Sequence, residues 1–364
     1  MSSNFLLRPF RWLFSNNISD LIKRPSDENM KLYKLLIFSL DGVLIDKMNS
    51  KVLPLAVETF NKLKTEGYRM CIITNECRYS PKRVRKDLVF LGFDLDSSID
   101  IITASSLTLI SLTNILKWRH VSNNSSNISS NPDNLSSKYI SRKSYNNMLN
   151  EASDIKPVVS ATHFGIIGNV NLYNYLRNSI CKKYRNSHLY YIEDCINPSR
   201  KFDYIVVGSV NIDNNLDKII ENSVRWFQKN NTASVILAHS DIMPENRKSV
   251  KYINPIPLIN KIDELGKSLD KDFEMPSDKI AVGKPYCSEF IDKFIERYDL
   301  KKEEKLPILV IGDDYNADMK FAFSANCDKC LVLSGNTQIS DIESKKINTD
   351  DIEFVVPDVS YLGL

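Results

Sequence analysis

The 364-residue sequence lacks the two features that mark membrane proteins and dedicated nucleic-acid binders. No apolar run approaches the about 20 residues that a helix needs to cross a bilayer, so we predict no membrane span. The 48 basic and 45 acidic residues leave a net charge of only +3, so no nucleic-acid partner is expected. Apolar side chains are plentiful, however. The 43% hydrophobic and 10% aromatic content is enough to bury a large core in two domains.

Cysteines in a disulfide-like arrangement are also lacking. The seven cysteines are odd in number and widely spread, which favours reduced thiols in a reducing compartment. Cys327 and Cys330 form the only close pair in the sequence, and a lone C-x-x-C is weak evidence for zinc or redox chemistry, so we assign it no role. Three of the four histidines, His120, His163 and His188, have no partner at the spacing of metal ligands.

The first 30 residues differ in composition from the rest of the chain. Arg8 and Arg11 lie among Phe, Leu and Trp, and no acidic residue precedes Asp20. An Arg-containing, Ser-containing and acid-poor segment is typical of an organelle transit peptide. A disordered or surface-packed extension is the alternative. We therefore expect the protein in the cytoplasm or in mitochondria.

From residue 34 onward, short β-branched runs alternate with segments of helical period, which is typical of βαβ units and a parallel sheet. Helices are predicted over 54–67 and 80–93. Strands of a first series are predicted near 34–39, 69–75, 280–284, 307–314, 329–335 and 352–356, and strands of a second series near 163–168, 204–209 and 234–239. The pattern indicates one sheet domain interrupted by an inserted α/β domain.

The predicted domain boundaries follow from this interruption. They are an N-terminal extension at 1–30, a core domain at 31–104 and 271–364, and an inserted domain at 105–270 with a Ser/Asn-rich insert at about 120–158. Within that insert the tract 123–138 has almost no apolar residues. Such a segment buries too little surface to offset its ordering entropy, so we predict an exposed, disordered insertion.

Polar residues follow four predicted strands at the point where each strand ends. They are Ser39 and Asp41, Thr74 and Asn75, Lys284, and Asp313 and Asp314, with Asp318 in the next helix. Ligands bind outside the carboxyl ends of strands in an open parallel sheet, so we expect these side chains to converge on one crevice. Carboxylates suit a hard ion such as Mg²⁺, and a lysine with a hydroxyl suits a phosphate. The set predicts a phosphoryl-transfer site.

Four ordered segments, IFSLDGVLID, IITN, VGKP and VIGDDYNADMKFA, resemble the motifs of the haloacid dehalogenase superfamily of phosphatases. GKPYCSEF and GDDYNADMKFAFSANCDKCLVLSG, with the large insertion between the second and third motifs, resemble the branch of 4-nitrophenylphosphatase and phosphoglycolate or pyridoxal phosphate phosphatase. HFGIIGNVNLYNYLRN and DYIVVGSVNIDNNLDKI resemble the cap domain of that branch. The resemblance covers residues 33–356 and implies a doubly wound α/β core with an inserted α/β cap.

The resemblance also implies roles for the first three motifs. In the family the first motif supplies an aspartate nucleophile, and a second aspartate two residues later protonates the leaving group. Ser39 stands at the nucleophile position and Asp41 at the acid/base position. Thr74, with Asn75 beside it, matches the hydroxyl that holds the phosphate, and Lys284 matches the third-motif cation.

The fourth motif is the acidic one. By resemblance Asp313 and Asp318, with Asp41, are expected around magnesium, and Asp314 is an extra carboxylate. Capping of the helix that starts near residue 316 is another role open to these carboxylates. His239 lies close to where relatives place a polar cap residue, or it is an ordinary strand-end histidine.

Ser39 departs from the family pattern in a way that bears on turnover. A neutral hydroxyl is a poor nucleophile and a poor magnesium ligand, and a serine phosphate has a far more basic leaving group than a carboxylate of pKa about 3.9. Two hypotheses follow: a Mg²⁺-dependent phosphomonoester hydrolase, or a catalytically impaired relative that keeps the phosphate and metal pocket. The expected partner is a small phosphorylated metabolite, and the resemblance suggests a homodimer formed through the cap.

Overall fold

The computed structural model of the protein describes residues 21–46, 51–124, 161–194, 200–212, 215–241, 251–288, 290–300 and 306–362. The first 20 residues of the predicted extension lie outside these ranges, as does almost all of the predicted Ser/Asn-rich insert. Within the described ranges, no helix combines the length and the apolar character of a membrane-spanning segment. The six cysteines that the ranges include are all free thiols.

The described strands and helices alternate along the chain as predicted. The strands are β1 Leu35–Phe38, β2 Ile45–Asp46, β3 Lys51–Val52, β4 Arg69–Thr74, β5 Asp100–Thr103, β6 Thr162–Ile167, β7 Ser187–Tyr191, β8 Tyr204–Val207, β9 Val210–Asn211, β10 Ser234–Leu237, β11 Tyr252–Ile253, β12 Lys279–Ala281, β13 Ile308–Gly312, β14 Asp328–Val332 and β15 Phe354–Val356. The α-helices are Asp27–Met30, Ala56–Thr65, Pro81–Phe90, Ala104–Asn124, Val170–Lys183, Leu216–Lys229, Pro255–Leu269, Phe290–Arg297, Lys320–Ser324 and Ile339–Glu343. A π-helical turn spans Tyr315–Met319 and a 3-10 helix spans Val359–Leu362.

The chain divides into two compact units. The first contains the described residues of Met1–Thr74, Arg85–Ile101 and Cys287–Leu364, and the second those of Asn75–Val84 and Ile102–Tyr286. Their limits do not coincide with the predicted domain boundaries at 104/105 and 270/271, and the assignment of domains stays a prediction.

The first unit is built on a six-stranded sheet with the order β15-β14-β13-β1-β4-β5. Strand β1 pairs in parallel with β13 on one side and with β4 on the other. All four residues of β1 are buried, as expected for a parallel strand covered on both faces. On one face Phe60 lies 5.3 Å from Phe38 and 5.4 Å from Phe93 between ring centroids. Because the chain moves to opposite sides of β1, its carboxyl end lies at the topological switch point of the sheet.

The second unit has a five-stranded parallel sheet with the order β12-β10-β8-β6-β7. Alternate residues of β8 and β10 belong to two separate apolar clusters, with Ile205 and Val235 in one and Val206 and Ile236 in the other. Both faces of this sheet are therefore buried. The alternation places the covering helices on two sides, which confirms the predicted α/β class for the inserted region as well.

One strand joins a different sheet from the one predicted. The apolar run near 280–284 was expected to return to the first sheet, but β12 pairs with β10 through Lys279 opposite Val235 and Ala281 opposite Leu237. The prediction was wrong because periodicity indicates that a segment is extended and partly buried, whereas the identity of its neighbouring strand depends on distant residues.

Candidate active site

The end of β1 holds Ser39 in a fixed position. The backbone N–H of Ser39 donates to the carbonyl of Ile311 at 2.8 Å, which continues the β1–β13 pairing one residue beyond the strand. The serine is 7% exposed. Its hydroxyl is thus carried by a buried, hydrogen-bonded backbone at the switch point of the sheet.

Asp41 opens a tight turn directly after this position. Asp41 forms an isolated bridge with Ile45, and the N–H of Gly42 donates to the Ile45 carbonyl at 2.8 Å. The Ser334 hydroxyl donates to the Gly42 carbonyl at 2.6 Å. Gly42 has a φ of +73°, and a Cβ there would collide with the Asp313 carboxylate. A glycine is therefore required by both the backbone and the close approach.

Asp313 is an enclosed carboxylate at this edge. It follows β13, is 4% exposed, and its Oδ2 accepts a hydrogen bond from the Asn336 N–H at 2.7 Å. A Cβ on Gly335 would also collide with this carboxylate. The Asp313 side chain thus lies between two glycine backbones, one of which immediately follows Asp41. A buried carboxylate is costly unless a cation or hydrogen-bond donors compensate it, and the Asn336 N–H is one such donor.

Asp318 and Asp314 both accept hydrogen bonds from backbone N–H groups. The Asp318 Oδ2 accepts the N–H groups of Asp313 and Asp314, each at 3.1 Å. The Asp314 Oδ1 accepts the N–H groups of Asn316 at 2.8 Å and Ala317 at 3.0 Å, which is the helix-capping role considered from the sequence. These contacts support Asp318 as the residue that orients the Asp313 backbone, and its metal role stays a prediction.

Thr74 lies on the neighbouring strand at the same edge. It is the last residue of β4 and is 1% exposed. Phe38 pairs with Ile72 across the two strands. If this register continues for two more residues, Thr74 lies opposite residue 40, between Ser39 and Asp41. The first unit therefore brings Ser39, Asp41, Thr74 and Asp313 to one edge of its sheet, as the sequence predicted.

Asn75 and Lys284 belong to the second unit, where they contact each other. The Asn75 Oδ1 accepts the Lys284 N–H at 2.7 Å, and the Asn75 Nδ2 donates to the Lys284 carbonyl at 3.1 Å. Lys284 is 4% exposed, and its bond to Pro285 is cis. The amide of Asn75 is thus occupied by the Lys284 backbone, and its predicted contact with substrate stays a prediction.

The carboxylate oxygens at the edge of the first sheet are the type of ligand that magnesium prefers, but few of them are present. Across the described ranges, no cluster of three or more His, Cys, Asp or Glu side chains is arranged to hold a metal ion. Mg²⁺ commonly uses one or two carboxylates and completes its octahedron with water and substrate phosphate. The carboxylates of Asp313 and Asp41 therefore fit the ion in chemistry, with a smaller protein contribution than an aspartate at position 39 would allow.

The loop after β14 contributes residues that sequence reasoning missed. Ser334 binds the turn after Asp41, Asn336 donates to Asp313, and Asn336 Nδ2 also donates to Asp314 Oδ2 at 3.0 Å. The Thr337 N–H donates to the Asp313 carbonyl at 2.9 Å. The available signal was the polar run SGNT, which begins within the last two residues of a predicted strand, and polar residues at strand ends identified the other site residues as well.

Solved structures share this fold over nearly the whole chain. A possible sugar phosphatase of the HAD superfamily from Cytophaga hutchinsonii has a TM-score of 0.60 at 20% identity, covering 93% of this chain and 98% of that one. A p-nitrophenyl phosphatase from Archaeoglobus fulgidus has a TM-score of 0.56 at 16% identity, covering 91% and 98%. A glycerol phosphate phosphatase from Mycobacterium tuberculosis, in complex with magnesium, has a TM-score of 0.58 at 14% identity, covering 92% and 77%.

Family models match the two segments that carry the predicted motifs. The haloacid dehalogenase-like hydrolase model matches residues 36–129, and the HAD-hydrolase-like model matches residues 281–362. No curated protein matches the sequence. The first match contains Ser39, Asp41 and Thr74, and the second contains Lys284 and Asp313. These two matches confirm the resemblance to the haloacid dehalogenase superfamily that the motifs predicted.

Proposed function

We propose that the protein binds a small phosphomonoester with Mg²⁺ at the carboxyl edge of the first sheet, and that Ser39 impairs hydrolysis. The observation that carries this proposal is the enclosed Asp313 carboxylate, fixed between Gly42 and Gly335 at the switch point beside Asp41. A buried carboxylate is unfavourable unless a cation or hydrogen-bond donors compensate its charge, which makes Asp313 suitable as a cation ligand. The relatives named as phosphatases support a phosphorylated ligand.

The proposed roles follow the motif order. Thr74 donates its hydroxyl to the phosphate, Lys284 supplies the positive charge, and Asp41 holds the proton for the leaving oxygen. Asp313 and Asp41 would hold Mg²⁺, which supplies charge neutralisation for the phosphate. Asp318 fixes the backbone of Asp313 through the two N–H contacts described above.

Ser39 limits what this arrangement does chemically. A serine needs an adjacent base before it attacks phosphorus. Asp41 is a poor base for it, because the proposal requires that residue as the acid for the leaving group. A phosphoserine at this position would also be a dead end, since its leaving group is an alkoxide. We therefore propose ligand binding with severely slowed turnover.

An active Mg²⁺-dependent phosphomonoester hydrolase is the second candidate. The specific observation in its favour is that half-buried Asp41 shares one edge with buried Thr74 and Asp313. Of these motif positions in the first unit, only position 39 departs from the family pattern. In this case water or Ser39 itself would attack the phosphorus, with Asp41 as the proton carrier.

Two measurements on the wild-type protein separate these candidates. Calorimetry with inorganic phosphate and Mg²⁺ tests binding, and hydrolysis of 4-nitrophenyl phosphate tests turnover. We expect phosphate binding with hydrolysis near the background rate. Brisk hydrolysis would replace the first candidate by the second, and absence of both phosphate binding and hydrolysis in the presence of Mg²⁺ would refute both.

We further propose, from resemblance and composition, a homodimer formed through the cap and a location in the cytoplasm or in mitochondria. Sedimentation of the full chain tests the first part, and a single-chain mass at micromolar concentration would contradict it. Import of the full chain into isolated mitochondria tests the second part. Processing near residue 30 would assign it to that organelle, and absence of import would leave the cytoplasm.

A further inference from the structure

A buried polar network lies at the carboxyl edge of the second sheet. We call it the His239 network, and its members are Ser209, His239, Asp241, Asn254 and Asn75. Ser209 follows β8, His239 follows β10, and Asn254 precedes the helix Pro255–Leu269. Ser209, His239 and Asn254 are each 2% exposed. All of these residues lie in the second unit, as does Lys284.

The directions of the hydrogen bonds fix the tautomer of His239. The backbone N–H of Asp241 faces His239 Nδ1 at 3.3 Å, and a backbone N–H only donates, so Nδ1 must accept. In the neutral imidazole the proton is then on Nε2, which donates to the Ser209 hydroxyl at 3.1 Å. Ser209 in turn donates to Asn254 Oδ1 at 3.2 Å. His239 is therefore a neutral linker in this network.

This tautomer excludes one attractive reading of Ser209, His239 and Asp241 as a nucleophile triad. In such a triad the histidine accepts the serine proton and its other nitrogen donates to the carboxylate. Here both directions are reversed, and the Asp241 carboxylate is 3.7 Å from Nδ1. Ser209 also accepts from the thiol of Cys77 at 3.3 Å. Burial raises the pKa of Cys77 to about 11, so this thiol keeps its proton.

The network continues from His239 to Lys284. The Asp241 Oδ1 accepts from Asn75 Nδ2 at 2.6 Å, and the same Asn75 amide bonds both the N–H and the carbonyl of Lys284. Asn254 Nδ2 donates to the Asp241 carbonyl at 3.2 Å, which holds the aspartate from its other side. Every step from the Nδ1 of His239 to the backbone of Lys284 is therefore a hydrogen bond with a defined donor.

The glycine before Lys284 leaves the room that this contact needs. A Cβ on Gly283 would lie 2.5 Å from Asn75 Oδ1 and 2.8 Å from His239 Cβ. The Asn75 side chain thus packs directly against the backbone at residue 283. Asn75 and His239 therefore both lie directly beside the backbone that leads into Lys284.

We propose that His239, Asp241 and Asn75 are positioning residues for Lys284, acting through this line of hydrogen bonds. The consequence for phosphate binding rests on the proposed function of Lys284, whereas the positioning itself rests on contacts within the second unit. The Ser209 and Asn254 side of the network then serves to fix the ring of His239.

Two substitutions of His239 separate the two sides of the ring. His239→Asn keeps an acceptor near the Nδ1 position for the Asp241 N–H, and His239→Gln keeps a donor near the Nε2 position for Ser209. We expect His239→Asn to bind inorganic phosphate with nearly wild-type affinity and His239→Gln to bind it about tenfold more weakly. Equal affinities in the two variants would overturn the route through Nδ1.

A second pair of variants tests Asn75 without relying on phosphate. Asn75→Ala is compared with Asn230→Ala, because Asn230 is also an asparagine of the second unit whose amide bonds backbone groups, those of Phe202 and Trp226. Lysine modification by an amine-reactive reagent, followed by mass spectrometry of the peptide with Lys284, reports how firmly that residue is held. We expect several-fold faster labelling of Lys284 in Asn75→Ala and no change in Asn230→Ala.

The labelling and phosphate-binding experiments test two claims separately, namely the positioning of Lys284 and its proposed role in phosphate binding. Faster labelling in Asn75→Ala with no phosphate binding by the wild type would support the positioning and refute the phosphate role. Unchanged labelling in Asn75→Ala would overturn the positioning even if the wild type binds phosphate. Should Asn75→Ala fail to fold, the two His239 variants carry the same comparison in the labelling assay.

Discussion

The substitution Ser39→Asp should convert the protein into an efficient phosphatase. The new carboxylate would start from the backbone fixed by the Ile311 carbonyl, at the edge that also carries Asp41, Thr74 and Asp313. It supplies both a nucleophile that needs no base and an additional anionic ligand for Mg²⁺. Removing the nucleophile of a hydrolase costs up to about 10⁶ in kcat. A restored nucleophile on an unshifted backbone should recover at least about 10³-fold over wild type.

The same substitution should lower stability when Mg²⁺ is absent. Position 39 is buried, and a second carboxylate near Asp313 adds like-charge repulsion and desolvation, on the order of a few kcal/mol. We expect the melting temperature of Ser39→Asp to fall in a chelator and to return when Mg²⁺ is added. The neutral, nearly isosteric Ser39→Asn is the matched control and should gain neither activity nor this metal dependence.

The assay is release of 4-nitrophenol from 4-nitrophenyl phosphate with and without Mg²⁺. Adding Asp41→Asn to Ser39→Asp should remove most of the gained rate, because the leaving group then lacks its acid. The reasoning is refuted if wild type already hydrolyses the ester briskly and Ser39→Ala leaves that rate unchanged. In that case the nucleophile lies elsewhere and the assignment of the first motif is wrong.

Three further predictions concern the same molecule. Asp313→Asn should abolish most of the heat of Mg²⁺ binding in calorimetry, and equal heats in variant and wild type would remove Asp313 from the metal site. Gly42→Ala should destabilise by about 1–3 kcal/mol more than Gly67→Ala in denaturant melts. Both glycines have positive φ, but a Cβ meets Asp313 only at Gly42 and meets nothing within 4 Å at Gly67, so similar losses would disprove the close approach. Burial, with a smaller effect from the neighbouring His188, lowers the pKa of His163, so the folded protein binds its proton less well than the unfolded chain. Stability should therefore fall as pH drops through about 6.5, and His163→Gln should reduce that fall.

The sequence predicted the fold class because burial periodicity is a local property. The run of four apolar residues in β1 predicts a strand covered on both faces, and the polar residues after it predict a ligand-binding crevice at the end of that strand. The helices predicted at 54–67 and 80–93 appear as Ala56–Thr65 and Pro81–Phe90, within the usual error for helix ends.

What escaped prediction depends on residues far apart in the chain. The local sequence of β12 does not predict that it pairs with β10, because its neighbouring strand lies more than 40 residues earlier in the chain. Likewise, the TN pair at 74 and 75 looked like one ligand set, but the structure places Thr74 in the first unit and bonds Asn75 to Lys284, 209 positions away. Side-chain networks of this kind have no period and leave no local pattern.

The enclosure of Asp313 should couple the folding stability of the protein to ligand binding at this site. A negative charge kept out of water lowers the stability of the empty fold, and a cation that binds it raises that stability by linkage. The melting temperature should therefore report ligand binding at this site, and its rise with ligand concentration yields an affinity. Candidate phosphorylated metabolites can then be ranked by melting shift alone, without any turnover to measure.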